Sequence, residues 1–351
     1  MKQGVGIVGA GWIAEKVHLP FILANPNVNY VGVYDVDNIR LQSIVNKNSN
    51  IRSYNSYDDV LRDENIDIVI ILTPNFLHFK QIKQAIYYGK KVFCEKPICI
   101  NNEIDDLKKL MMEKKDYYIY PLLPNRYKAE INELRSAIKE IGEVYKVYAG
   151  WTRGKGIPTS GWFLDKNKSG GGVLVDLGSH LVDVLLYILE FPKIELCEGN
   201  LVSHFTTGEN NRATWREKKV IKKYQEFQDT VEDSAQVFLK NKKTSMVIDL
   251  CWDSYLNEDK TYFEIHGTQG FVRLETLFGF SNRIKENKAK LILTSENKSY
   301  SKTFDIFNRH EPYHLMLEDY FEMAANNQQL NIEDIMKSIE LLSEIYRRSE
   351  L

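Results

Sequence analysis

A chain of 351 residues is too long for one ordinary hydrophobic core and suits two domains of roughly 100 to 200 residues each. Its 43% hydrophobic and 27% charged residues are a globular composition, and no run approaches the ~18 consecutive apolar residues of a membrane span, so no membrane partner is expected. Lys plus Arg (46) nearly cancels Asp plus Glu (48), and basic stretches such as Arg216 to Lys219 and Lys242-Lys243 are short, which argues against nucleic acid.

Short β-branched runs alternate with helical patterns over the first third. Gly4 to Val8, Tyr30 to Tyr34, Ile66 to Leu72 and Lys91 to Cys94 read as strands. Residues 14–25, 38–48 and 76–90 lie between them with helical character, the last showing apolar residues at helical spacing and a stop at Gly89. That rhythm predicts an α/β domain with parallel strands joined by crossover helices. A further run, Tyr117 to Leu123, closes the region, and Pro121 with Pro124 divides the chain into domains 1–123 and 124–351. The second begins with a helix over 129–141 and continues with strands over 144–153, 234–240, 244–252, 261–267 and 271–276, separated by turn signals. A helix over 173–190 interrupts them, and helical patterns over 311–327 and 331–350 end the chain. This predicts an α+β domain on a large, open, mostly antiparallel sheet. Residues 205–228 read as a charged, irregular excursion.

Gly9-Ala10-Gly11-Trp12-Ile13-Ala14 matches G-x-G-x-x-G/A directly after an apolar strand and at the mouth of a helix. The first Gly permits the tight turn, the second lets backbone approach a pyrophosphate, and Ala14 allows close packing of helix on strand. Asp35 ends the second strand, where a carboxylate accepts from the adenosine ribose hydroxyls. Its charge, reinforced by Asp37, would repel a 2′-phosphate, so NAD is expected rather than NADP, with Arg40 the residue that could reverse the choice.

Val92 to Pro97 (VFCEKP) sets Glu95, Lys96 and Pro97 at the carboxyl end of a parallel strand, where open α/β sheets bind ligands. Asp176 and His180, four apart, share a helix face, and Asp183 adds a third ionisable group to an otherwise apolar helix. Burying such a stripe would be costly without a polar task. Gly170-Gly171-Gly172 before that helix reads either as backbone room beside a bound ring or as a flexible loop. The seven histidines form no H-E-x-x-H motif and there is no G-x-S-x-G, so neither a metal nor a serine nucleophile is expected. The four cysteines contain no C-x-x-C pair, and the initial apolar run VGIVGA is too short for a signal sequence; reduced thiols in a cytoplasmic protein are expected.

GIVGAGWIA, TPNFLH, CEKP, NRY and SGGGVLVDLGSHLVD stand in the order and approximate spacing of the glucose-fructose oxidoreductase, inositol dehydrogenase and MocA family. The chain resembles that family across both domains, with 205–228 and 281–309 lacking a counterpart. The resemblance implies a Rossmann domain followed by a domain whose open-faced sheet often packs on another subunit, hence a homodimer or homotetramer. It places Thr73, Pro74 and Asn75, with His78 close by, along the cofactor beside Gly9, Gly11, Trp12, Ile13, Asp35 and Glu95. It also puts Lys96 near the nicotinamide, with a cis peptide before Pro97, and makes Asp176 and His180 the family's D-x-x-x-H pair.

Hydride transfer from a secondary alcohol requires a base for the hydroxyl proton, and His180 suits that role because an unperturbed imidazole titrates near ~6.5, close to working pH. Lys96 would stabilise developing alkoxide charge, and Asp176 would position the hydroxyl. Arg126, Arg153 and Trp162, with Trp151 and Phe163, are further candidates for substrate contact, and Asp183 for a structural role. The resemblance implies NAD-dependent oxidation or reduction of a sugar, amino sugar or cyclitol, and an aspartate at Asp176, where family branches acting on nucleotide-linked sugars carry Asn, favours a free sugar or cyclitol. One alternative is a nucleotide-linked sugar, its diphosphate met by Arg126, Arg153 and the loop from Lys218 to Lys223. The other is a non-catalytic NAD-binding regulator.

Overall fold

Six parallel strands build the first sheet: β1 (Gln3–Val8), β2 (Val28–Tyr34), β3 (Ile51–Ser53), β4 (Ile68–Ile71), β5 (Lys91–Glu95) and β6 (Ile119–Leu122). Their order is β3-β2-β1-β4-β5-β6, so the winding reverses between β1 and β4. All residues of β1 and β4 are buried, which is why these segments read as continuous apolar runs rather than as alternating ones. The helices α1 (Leu19–Ala24), α2 (Asn38–Val45), α3 (Tyr57–Arg62), α4 (Asn75–Tyr87) and α5 (Ile104–Glu113) connect them. α1 is entered through a π turn, Ala14–His18. β3, α3 and α5 have no counterpart among the expected elements. Three residues are too few for β3 to show a period.

The computed structural model describes all residues but 1, 101–102, 115, 159–160, 207–230, 285 and 350–351. They form two units, Met1–Pro124 with Tyr313–Glu333, and Asn125–Pro312 with Asp334–Leu351. The expected domains were 1–123 and 124–351; the structure instead returns Tyr313–Glu333, with most of α9 (Glu311–Ala325), to the first unit. Aromatic burial accounts for the return. Phe93 stands edge-on to Tyr120, Phe321 and Tyr320 at 5.0, 5.3 and 5.8 Å, and the Tyr320 hydroxyl donates to the Pro121 carbonyl at 2.8 Å.

The second unit carries α6 (Ala129–Ile138), β7 (Val144–Thr152), α7 (Lys166–Ser169), α8 (Ser179–Ile188), β8 (Leu196–Val202), β9 (Ser234–Lys240), β10 (Ser245–Cys251), β11 (Lys260–Gly267), β12 (Gly270–Thr276), β13 (Lys288–Ser295), β14 (Ser299–Asp305) and α10 (Ile332–Arg348). Its sheet runs β14-β13-β12-β11-β7-β10-β9-β8 and is antiparallel except for β7 with β10. Residues 281–309, without counterpart in the family resemblance, supply the β13–β14 hairpin. Val147, Ala149, Val237, Met246, Ile248 and Phe263 face a core shared with α6, α8 and α10. On the opposite face Phe238, Val247 and Tyr148 are cross-strand neighbours and are 36%, 36% and 37% exposed. The helical stretch Lys166–Ile188 has the length and composition to cross a bilayer, which the sequence reading did not anticipate, yet 83% of its apolar window is buried in the core.

Candidate active site

The glycine turn fits a dinucleotide. Gly9 has φ 102°, and a Cβ there would stand 2.7 Å from the Leu72 carbonyl oxygen, so the β1 and β4 ends meet closely only through glycine. A Cβ on Gly11 would meet no atom within 4 Å, leaving the open approach that a pyrophosphate needs. Asp35 braces the turn: its carboxylate accepts from the Ala10 N–H at 2.6 Å and the Asp37 N–H at 2.7 Å. Asp37 caps α2 and pairs with Arg40 at 3.2 Å, so Arg40 already has an acidic partner. Trp12 and Ile13 open the helix, partly exposed.

Lys96 follows β5, and its peptide to Pro97 is cis. Thr73 and Pro74 lie at the end of β4, partly exposed, and Asn75 begins α4, buried. His78, placed along the cofactor by resemblance, is 1% exposed and faces inward. Its Nδ1 lies 2.7 Å from the Pro97 carbonyl and its Nε2 2.6 Å from that of Thr73, so it braces the two strand-end loops against each other. Burial pushes the His78 imidazole down, against the pull of both carbonyls and Glu95. Glu95 in turn accepts from the fully buried His18 at 3.2 Å, a partner with no sequence signal beyond its place at the end of the π turn.

In the second unit a π turn, Leu174–Gly178, leads into α8, and such turns recur at functional sites. Asp176 Oδ2 accepts from the Trp252 indole N–H at 3.1 Å and lies 3.7 Å from Arg153 Nη1. The Arg153 guanidinium stands 4.9 Å over the Trp151 ring, whose centre is 6.0 Å from that of His180. Asp176, His180, Arg153, Trp151 and Trp252 thus form one cluster in which a carboxylate and an imidazole can meet a hydroxylated ring. Trp252 and Trp151 are 0% and 2% exposed, so both act as supports and not as an open stacking wall.

Buried Glu232 anchors the turn from behind: its Oε1 accepts from the N–H groups of Gly172 and Leu174 at 2.9 and 3.0 Å and from the Tyr346 hydroxyl at 2.6 Å. Burial raises the Glu232 carboxyl, opposed by these donors. Gly171 and Gly172 before the helix serve close packing. A Cβ on Gly172 would overlap the Glu232 carbonyl oxygen, and one on Gly171 the Tyr346 hydroxyl. Arg126, expected at the substrate, instead forks onto buried Asp183 through Nε and Nη2 at 2.9 and 2.5 Å, because an unpaired buried carboxylate would be far costlier. Trp162 stacks on Phe163 at 3.9 Å in a partly exposed turn. The loop from Lys218 to Lys223 lies outside the described residues, among which no cluster of His, Cys, Asp and Glu could hold a metal.

The chain is similar to known proteins over both units. Residues 3–120 match the model of an oxidoreductase family with an NAD-binding Rossmann fold, and 131–273 match that of the GFO/IDH/MocA C-terminal domain. A protein of Amycolatopsis mediterranei provisionally named a UDP-kanosamine synthase oxidoreductase subunit is 29% identical over 299 residues, covering 84% of this chain and 81% of its own. A glucose-6-phosphate 3-dehydrogenase of Bacillus subtilis is 30% identical over 249 residues, 69% of this chain and 65% of that protein. In fold, the chain is similar to the 3-ketoreductase KijD10 of Actinomadura kijaniata, solved with NADP and TDP-benzene, with TM-score 0.77, 15% identity, and 99% and 98% of the two chains covered.

Proposed function

The chain belongs to the glucose-fructose oxidoreductase, inositol dehydrogenase and MocA family of oxidoreductases, and we propose that it moves a hydride between a nicotinamide cofactor and carbon 3 of a hexose ring. The observation that carries the reading is Asp176, held by Trp252 and Arg153 in the same cluster as His180. Bound in the glycine cradle, the cofactor supplies the hydride acceptor or donor. His180 takes the hydroxyl proton during oxidation, Lys96 donates to oxygen as negative charge develops there, and Asp176 orients a hydroxyl. Carbon 3 is favoured by the name of the Bacillus relative. A nucleotide-linked hexose is the second reading, favoured by the Amycolatopsis relative, which aligns over most of both chains. Asp35 favours NAD over NADP. The exposed row Phe238, Val247 and Tyr148 favours pairing of two copies through the open sheet.

The test is nicotinamide absorbance with both cofactors over hexoses, sugar phosphates, nucleotide sugars and inositols. His180→Ala and Lys96→Ala should each lower turnover at least ~100-fold and leave cofactor binding nearly intact. Normal turnover in either variant overturns the assignment. Tight NADH binding with no turnover across the panel favours a regulator instead.

A further inference from the structure

Positive charge exceeds its local balance at one place in the second unit. Lys128 and Glu130 are 8% and 3% exposed, and Lys128 Nζ lies 3.0 Å from Glu130 Oε1, the oxygen that also accepts from the Thr276 hydroxyl at 2.7 Å. A second cation, half-buried Arg309, comes from the connection between β14 and α9. Its Nη2 reaches Asn287 Oδ1 at 3.3 Å, while its Nη1 is buried and has no hydrogen-bond partner among the described residues. Burial lowers the Arg309 guanidinium, and Glu130 is the charge that opposes the shift. Guanidinium stays charged at any working pH, and a buried charge without a partner is costly, so an anion is the missing component.

This cationic place adjoins the candidate catalytic cluster. Lys128 Nζ is 6.0 Å from the centre of the Phe278 ring, Phe278 stands edge-on to Trp151 at 5.5 Å, and Trp151 neighbours His180. Next to Arg309, His310 packs on Phe280 at 5.5 Å, and Gly279 between Phe278 and Phe280 borders both Trp151 and Arg153. Arg309 lies beyond the matched family region, which ends at residue 273.

We infer that Arg309 and Lys128 form a phosphate subsite, and hence that the substrate is a phosphorylated hexose and not a free one; this rests on the activity proposed above. A planar guanidinium with a buried, unpartnered N–H suits a phosphate oxygen, and Lys128 adds a point charge. The phosphate belongs either to a sugar monophosphate or to the diphosphate of a nucleotide-linked sugar.

Steady-state kinetics of the NAD-loaded enzyme with glucose, glucose 6-phosphate and UDP-glucose test it, using Arg309→Met and Arg309→Lys. The expected result is a KM for one phosphorylated sugar raised at least ~10-fold by Arg309→Met and partly restored by Arg309→Lys, with kcat and the KM for glucose unchanged. An effect confined to glucose 6-phosphate identifies the monophosphate, and one confined to UDP-glucose the diphosphate. Equal loss with glucose, or no loss with either phosphorylated sugar, overturns the subsite. If no sugar is turned over, the activity fails separately, and thermal stabilisation of the NADH-bound protein by UDP or inorganic phosphate decides the subsite. Stabilisation lost in Arg309→Met supports it, and no stabilisation of the unaltered protein overturns it.

Discussion

Replacing Arg126 by Met separates two readings of that residue. In the structure its guanidinium makes two hydrogen bonds to Asp183 and stands over the rings of Tyr187 and Phe191 at 5.2 and 5.3 Å. The Asp183 side chain is 3% exposed and that of Arg126 17%, so this pair is screened far less than a surface one. Removing Arg126 strands a buried carboxylate, at a cost of about 3–5 kcal/mol, and forfeits about 0.5–1 kcal/mol of cation–π attraction. Replacing Asp183 as well, as Arg126→Met with Asp183→Leu, removes the stranded charge and should recover much of the loss, because apolar residues often replace a buried pair at little cost. Urea unfolding followed by tryptophan fluorescence measures the unaltered protein and both variants, and steady-state kinetics accompanies it. A variant Arg126→Met with unaltered unfolding midpoint and a raised substrate KM would refute the reasoning and return Arg126 to the substrate.

Gly11→Ala should leave the melting temperature of the cofactor-free protein unchanged, since its Cβ meets no protein atom, yet weaken NADH binding at least ~10-fold as measured by titration calorimetry. Unchanged binding would mean that the open space is not the pyrophosphate path. Asp35→Asn should narrow the advantage of NAD over NADP in kcat/KM and also lower stability, because one of its two backbone donors loses its acceptor. Asp63 supplies a pH test. Burial acts to raise its carboxyl, but hydrogen bonds from Tyr54, from the Asn65 backbone and side chain and from Tyr30 outweigh it and hold the group well below the usual carboxylate range. A depressed folded pKa gives stability that is present above about pH 4 and lost as pH falls further. Asp63→Asn should therefore flatten the fall in stability below pH 4; an unchanged slope in urea titrations from pH 5 to 3 contradicts the assignment.

Much of the site could be read locally. The β1 run, Gly9, Gly11, Asp35 and the Glu95-Lys96-Pro97 strand end carry their meaning within a few residues, because strand, turn and helix start are short-range patterns. Asp176 and His180 were legible as polar residues on an apolar helix. The partners that hold them were not. Trp252 lies 76 residues from Asp176, and Glu232 lies 58 and 60 residues from the N–H groups it caps, and neither spacing has a sequence signature. Arg126 looked like a substrate residue until Asp183, 57 positions on, claimed it.

The sequence by itself determined the doubly wound sheet and the glycine turn at its first strand, since both follow from local periodicity and side-chain chemistry, and it supplied the residue types proposed for proton transfer. Only the tertiary structure decided that Tyr313–Glu333 returns to the first unit, that 281–309 extends the second sheet, and that Arg309 is left with a buried N–H to satisfy. Those outcomes depend on which distant groups share a dry interior, where an unpaired charge or N–H costs several times what it would in water.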